Sequence, residues 1–374
     1  MSCEVGRVIE LMERVAPPEL AAEWDNVGLQ FGSPDAEIRA VLVALEVTGE
    51  VLEEALARKA GLIICHHPPL FRPLLRLLED EPGGALACSI VRSGVAVYAA
   101  HTNLDASPQG VNAALADALE LREHAPLGEP ASLEGYKLVT FLPPERLGTV
   151  SEALFRAGAG IIGDYRGCSF RTEGVGTFIP GSGSRPFCGE VGKRNEVEET
   201  RLEVWVKGTD LSRAVRELMA AHPYEEPAVD IYPARLAQRV GMGRVGDLPR
   251  AMSLGELADF CRLRLASPVV KYAGDASMRV RRVAVCGGRG GDLAGDAKRM
   301  GAKVLVTGDV SHHEAQKALR AGLAIIDAGH YHTESVVVSF LARRLAEMAD
   351  AAGWEVEIFG SEKDTCPWHA GGEG

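Results

Sequence analysis

Three short stretches of this chain concentrate the side chains that could do chemistry: Cys65-His66-His67-Pro68-Pro69, His101-Thr102-Asn103-Leu104-Asp105 and Gly329-His330-Tyr331-His332-Thr333-Glu334. Neutral imidazole is the commonest nitrogen donor to a transition metal. His330 and Glu334 stand four residues apart, a spacing that puts two side chains on one face of a helix. A pair of adjacent histidines is, alone, also compatible with a structural or merely exposed role. The metal reading gains from three segments carrying the same donor types. Nitrogen and carboxylate donors without thiolate suit zinc, iron, manganese or cobalt, and five or six of them exceed the four that a closed structural zinc takes. Two divalent metal cations sharing a carboxylate follow. Such a pair can activate water near neutral pH and polarise a carbonyl, a phosphoryl group or a ring carbon for attack.

These side chains need delivering to one place, and the pattern around them indicates how. Residues 61–65 form a continuous, β-branched apolar run, as expected of a parallel strand covered on both faces, and Pro68-Pro69 forbid its continuation. Residues 95–100 read as a strand ending at His101, and 323–327 as one ending just before His330. Further strands at 40–45, 282–286 and 303–307 alternate with helices at 50–59, 85–92, 111–121, 293–300, 315–321 and 335–351. Strand–helix alternation implies right-handed crossovers and parallel sheets, whose carboxyl-terminal edge gathers the strand ends and binds ligands. The expected fold class is α/β. Two parallel-sheet lobes, 1–125 and 240–374, would form one metal-binding body. Residues 4–15 predict an amphipathic opening helix, and Ser253 with Glu256 a capping box for a helix over 253–265.

Between the lobes, 124–135 is rich in proline, glycine and glutamate and reads as a linker. A strand at 136–142, a helix at 144–157, strands at 169–179 and 200–206, a helix at 210–221 and a strand at 227–232 give the β-α-β-β-α-β order of a ferredoxin-like domain inserted at 132–234. Its His222-Pro223-Tyr224-Glu225-Glu226-Pro227 segment offers a histidine and two carboxylates, but two prolines in six residues favour a structural corner over a second metal site. Residues 23–32 read as a loop around a buried Trp24. The glycines of 287–292 fit either a tight turn or an anion cradle, and match neither a G-x-G-x-x-G fingerprint nor a Walker loop.

Across 374 residues the formal charge is -12 and the pI about 5.4, which argues against bulk nucleic-acid or anionic-membrane binding. No basic n-region precedes an apolar core, and no run reaches the roughly 18 apolar residues of a membrane span, so the expected location is the cytoplasm. Eight cysteines without a C-x-x-C pair predict reduced thiols.

Taken with Trp24-Asp25-Asn26-Val27-Gly28, Thr307-Gly308-Asp309 and the tail Asp364-Thr365-Cys366-Pro367, the three histidine stretches resemble the NIF-three-like dinuclear metal proteins, also known as GTP cyclohydrolase I type 2 homologues. The resemblance spans essentially the whole chain, and residues 132–234 resemble the insertion of the longer bacterial members. That insertion is similar to the trimeric copper-tolerance and signal-transducing PII proteins. The resemblance implies that His66, His67, Asp105, His330 and Glu334 bind two divalent cations, with Glu334 as a bridge. It implies that His101 orients a ligand or carries a proton, and that the protein is a homohexameric ring with its metal sites facing a cavity. Cys366 stands where the family usually has asparagine or aspartate. The function expected is a metal-dependent hydrolase acting on a nucleotide or related heterocycle, a small-molecule substrate, with His101 or His332 moving the proton. The alternative is a metal-binding, metal-delivering or regulatory protein whose inserted domain senses a ligand.

Overall fold

Short apolar runs here become strands buried at every residue: Ala40–Ala44, Leu62–Cys65 and Ala96–Ala99. The structure, a computed structural model, describes residues 3–128, 132–163, 165–237 and 240–370. The chain divides into two units, residues 1–131 with 239–374, and residues 132–238.

The first unit holds two large sheets. In one, the strand order is Glu357–Gly360, Ala40–Ala44, Leu62–Cys65, Ala96–Ala99, Gly28–Phe31, parallel except for the last pair. In the other, it is Lys271–Ala273, Ala324–Asp327, Val304–Gly308, Arg279–Arg289, Gly243–Ser253, Arg122–Leu127. Only its three strands at 324–327, 304–308 and 279–289 pair in parallel, and the flanking pairs are antiparallel. The α/β class stands, but the sheets are mixed rather than wholly parallel. Their antiparallel strands carry Gly243, Gly246, Pro249 and Pro126, which break the apolar periodicity that marks a strand in sequence. Residues 124–135 are accordingly strand at both ends rather than a linker throughout, since Arg122–Leu127 and Ser132–Leu142 flank the undescribed 129–131. Pro126 sits in an edge strand, where its missing N–H is tolerated.

Alternation along the strands divides the side chains between two faces. Val41, Val43, Leu62, Ile64, Ala96 and Tyr98 pack against helices Val5–Val15 and Val336–Ala351. Leu42, Ile63 and Val97 pack on the other face with Val51, Ala55 and Ile90 of helices Gly49–Ala57 and Pro82–Ser93. Helix Val111–Ala118 joins the two sheets' cores, giving Val111 and Ala114 to one and Leu115 and Ala116 to the other. Helix Leu254–Arg264 starts at the expected capping box, Ser253 with Glu256. Arg244 is 2% exposed and donates to the carbonyls of Gly241, Gly243 and Ser107, so a buried cation fastens the strand at 243–253 to the first half of the chain.

In the second unit, strands Val229–Ala237, Ser132–Leu142, Asn195–Lys207 and Ser169–Phe178 lie in that order, all antiparallel. Helices Leu147–Arg156 and Leu211–Ala221 contribute Val150, Leu154, Ala214 and Leu218 to its core. All eight cysteines are free thiols. Among the described residues, no helix is long and apolar enough to cross a membrane.

Candidate metal centre

Both sheets of the first unit turn the carboxyl ends of their parallel strands toward one place. His66 and His67 follow Leu62–Cys65, His101 follows Ala96–Ala99, and Asp105 lies in the short helix Thr102–Ala106. From the other sheet, Asp309 follows Val304–Gly308, and His330–Glu334 is a short helix after Ala324–Asp327. The six residues His66, His67, His101, Asp105, His330 and Glu334 assemble into three overlapping groups: His66, His67 and His101; His67, His330 and Glu334; His66, Asp105 and Glu334. Within each group the donor atoms lie within 4.8 Å of one another.

Each imidazole is fixed by its outer nitrogen. Nδ1 of His66 pairs with the Ala100 carbonyl at 2.9 Å, of His67 with Glu46 at 3.2 Å, of His101 with Asp25 at 2.9 Å and of His330 with Asp309 at 2.8 Å. This leaves Nε2 as the inward nitrogen, as outer partners do for metal-ligating histidines. Nε2 of His67 and of His330 stand 3.1 and 3.2 Å from Glu334 Oε2. His66 Nε2 lies 3.8 Å from Glu334 Oε1 and 3.6 Å from Asp105 Oδ1.

Glu46, Asp25 and Asp309 escaped the sequence reading as partners of these rings. Glu46 stands two residues past a strand end on the same sheet edge, which was the available signal. Asp25 had been read as part of a loop around a buried tryptophan. In the structure Asp25 has a fully buried side chain that also accepts from the Thr102 N–H and hydroxyl, whereas Trp24 is 65% exposed. The polar member of that loop is the one the core takes in. Asp309 sits in the left-handed region at φ 51°, a conformation that aspartate tolerates better than most residues.

The charges of these buried groups are set by one another. Burial disfavours a charged His67, yet the Glu334 and Glu46 carboxylates beside it prevail and raise its pKa to about 10. Glu334, with Asp309 assisting, raises His330 to about 9 against its burial. Burial would raise Glu334 too, but the three surrounding imidazoles hold it well below the usual carboxylate range. Burial pushes Asp105 up to about 7, with His66 opposing. Three buried atoms, His66 Nε2, Asp105 Oδ1 and Glu334 Oε2, have no hydrogen-bond partner, the nearest acceptors to His66 Nε2 being 3.6 and 3.8 Å away. An unpaired buried polar atom costs about 1–3 kcal/mol. A divalent cation among these nitrogen and carboxylate donors would satisfy all three, so the residues fit a metal.

The glycine cluster at 287–292 serves this carboxylate rather than forming an anion cradle. Gly287 and Gly288 donate their N–H groups to Asn112 Oδ1 and Thr333 Oγ1. Gly288, at φ +60°, lies so close that a Cβ there would meet Glu334 Oε1 at 2.2 Å. His332 is outside the three donor groups, with Nε2 3.9 Å from Cys366 Sγ. In the second unit, His222 is spent on structure. Its Nε2 pairs with the Phe141 carbonyl, and its Nδ1 accepts from the Tyr224 N–H. Tyr224 and Glu225 border a cavity of about 690 Å³, and no metal-type group forms there among the described residues.

Against known proteins, the description of the Duf34/NIF3 (NGG1p interacting factor 3) family matches residues 3–367. A Bacillus subtilis protein named GTP cyclohydrolase 1 type 2 homolog is 42% identical over 97% of each chain. A Mycobacterium leprae protein of the same name is 39% identical over 89% of this chain and 88% of its own. Among solved structures, a Bacillus cereus protein related to NIF3 superposes with a TM-score of 0.83 at 37% identity, covering 98% of this chain and 99% of its own.

Proposed function

The chain belongs to the Duf34/NIF3 family, and from that premise we propose that its histidine–carboxylate cluster holds two divalent cations and hydrolyses a nucleotide or related heterocycle. One observation carries the reading: the carboxylate of Glu334 faces two donor groups, Oε2 toward His67 and His330, and Oε1 toward His66 beside Asp105. A single ion would leave one group unused. When bound, such a pair supplies an activated water at neutral pH and a Lewis acid for the electrophile.

The chain's own residues divide the remaining tasks. His66, Asp105 and Glu334 make the deeper group, with His66 and Glu334 side chains only 0% and 5% exposed. His67 and His330, at 27% and 38%, make the outer one, where a substrate can approach. His101, held through Nδ1 by Asp25, shares a donor group with His66 and His67 and either adds a ligand there or takes up a proton. His332, the other sequence candidate for proton transfer, has no such placement.

The relatives' name motivates GTP as a first substrate. Protein reconstituted with zinc, iron, manganese or cobalt, incubated with GTP and a mixed nucleotide panel, should give a new product by mass spectrometry that disappears in Glu334→Ala. No turnover from protein shown to hold two ions would reject the hydrolase. The exposure of the outer pair also favours a second reading, a metal-delivery protein. Rapid exchange of the outer ion with an apoprotein acceptor would support that reading, and ions released only on denaturation would reject it. We carry the homohexamer forward as a further proposal, which native mass spectrometry tests by a particle of six 39.9 kDa chains.

A further inference from the structure

Beside the donor cluster stand two large rings that the core does not absorb. Trp24 is 65% exposed and Phe71 44%. Their centroids lie 5.9 Å apart with planes at 64°, and each meets the His101 ring edge-on, Trp24 at 6.2 Å and Phe71 at 6.1 Å. The three rings form a triangle of the edge-to-face kind that ring quadrupoles favour. Its third corner already belongs to the donor cluster, since His101 is 5.2 Å from the His66 ring and 5.7 Å from that of His67.

Hydrogen bonds, rather than burial, hold the two rings in register. Asn26 Nδ2 donates to the Leu70 carbonyl, the Leu70 N–H donates to Gln30 Oε1 at 2.9 Å, and Gln30 Nε2 donates to the Asn26 carbonyl at 2.8 Å. These bonds staple the turn carrying Trp24 to the segment carrying Phe71. Asp25, next to Trp24, binds His101 and Thr102, so the staple is anchored to the metal-site side of the sheet. Aromatic side chains are normally among the largest contributors to a core. Here the sequence fixes the backbone beneath two of them and leaves their faces in water, at the rim of a cluster of open donor atoms.

Resting on the reading of the cluster as a metal site acting on a heterocycle, we propose that Trp24 and Phe71 are the stacking platform that selects a planar aromatic ligand for that site. Every aromatic ring offers a π-face, so the platform separates planar ligands from non-planar ones with little regard to ring substituents. A ring lying on either wall is brought beside His101. Trp24 and Phe71 are therefore positioning residues: they set where the ligand lies, while the donor cluster acts on it.

The test uses full-length protein loaded with manganese or zinc, its ion content measured in every variant. Guanosine, GTP and adenosine are titrated by calorimetry, with ribose 5-phosphate as the non-aromatic control, against wild type, Trp24→Ala, Phe71→Ala and Trp24→Phe. The nucleosides should bind roughly tenfold or more weakly to each alanine variant and recover in Trp24→Phe, with ribose 5-phosphate unchanged throughout. Equal nucleoside binding in all variants, a parallel loss for ribose 5-phosphate, or no nucleoside binding to loaded wild type would each overturn the platform. Stacking that is lost in Trp24→Ala, in a protein that turns nothing over, would uphold the platform and remove the hydrolase. Turnover with unaltered KM in both alanine variants would do the reverse. Variants that change only the oligomer mass would assign these rings to a contact between copies and so reject the proposal.

Discussion

Oε2 of Glu334 lies 3.1 Å from Nε2 of His67, a contact between a buried carboxylate and an imidazole that also pairs with Glu46 on its far side. The contact makes Glu334 the shared member of two donor groups, and its replacement has a specific signature. Glu334→Gln keeps the size of the side chain but removes the charge and one acceptor. Metal bound per chain, measured by inductively coupled plasma mass spectrometry, should fall from near two to below one. Loss of one ion with full retention of the other would show that the groups do not depend on a common carboxylate.

Acidity separates the metal-free protein from the loaded one. His67 and His330 have folded pKa values raised to about 10 and about 9, so their stabilising charge is complete below about 6.5 and lost as pH rises through 9 to 10. Asp105, raised to about 7, acts in the same direction between about 4 and 7, because burying its ionised form is unfavourable. Metal-free protein should therefore melt at lower temperature at pH 9 than at pH 6. Cations require neutral imidazoles and ionised carboxylates, so metal affinity should rise with pH over that range and binding should release protons. Calorimetry in buffers of different ionisation enthalpy counts those protons, and a count of zero at pH 7 contradicts the assignment.

The outer partners of the rings are open to test one at a time. Asp25→Asn and Glu46→Gln each keep volume while weakening the grip on Nδ1 of His101 and His67. Metal affinity should drop roughly 10- to 100-fold with the circular dichroism spectrum unchanged. Titration against a competing chelator gives the figure, and unchanged affinity in both variants would show that these carboxylates do not tune the ligands they hold.

Gly288→Ala adds one methyl group where a Cβ meets Glu334 Oε1 at 2.2 Å and φ is +60°. The left-handed backbone alone costs about 1–2 kcal/mol for a non-glycine residue, and the carboxylate must also move. Lower melting temperature together with reduced metal content is expected. A destabilised variant that still binds both ions would show that Glu334 can relocate freely.

What the sequence revealed, and what it hid, follows from how local each signal is. The strand ends at Cys65, Ala99 and Asp327 were legible because continuous apolar runs stop at prolines or at polar residues, and the α/β alternation then placed His66, His101 and His330 on common edges. The i, i+4 pair His330 and Glu334 was legible from helical spacing alone. The pairing of Asp25 with His101 was not, since it joins residues 76 apart through tertiary structure. Trp24 reversed expectation for a related reason: hydrophobicity argues for burial, while the hydrogen bonds of Asn26 and Gln30 that hold its loop at the rim arise only in the fold. Mixed sheets were missed where glycine and proline interrupt the pattern, as at Gly243, Gly246 and Pro126.

The unit that holds the donor cluster is built from two stretches of chain separated by residues 132–238. His66, His67, His101 and Asp105 come from the first stretch, His330 and Glu334 from the second. During synthesis the early histidines therefore leave the ribosome long before the carboxylate that draws the two groups together, and Arg244, which binds the carbonyl of Ser107, also arrives after the intervening unit. A prematurely terminated product would carry four of the six donors and lack the shared one. Were the cluster loaded as proposed, full occupancy would report that translation had passed Glu334, and ion content would serve as a measure of chain integrity up to that residue.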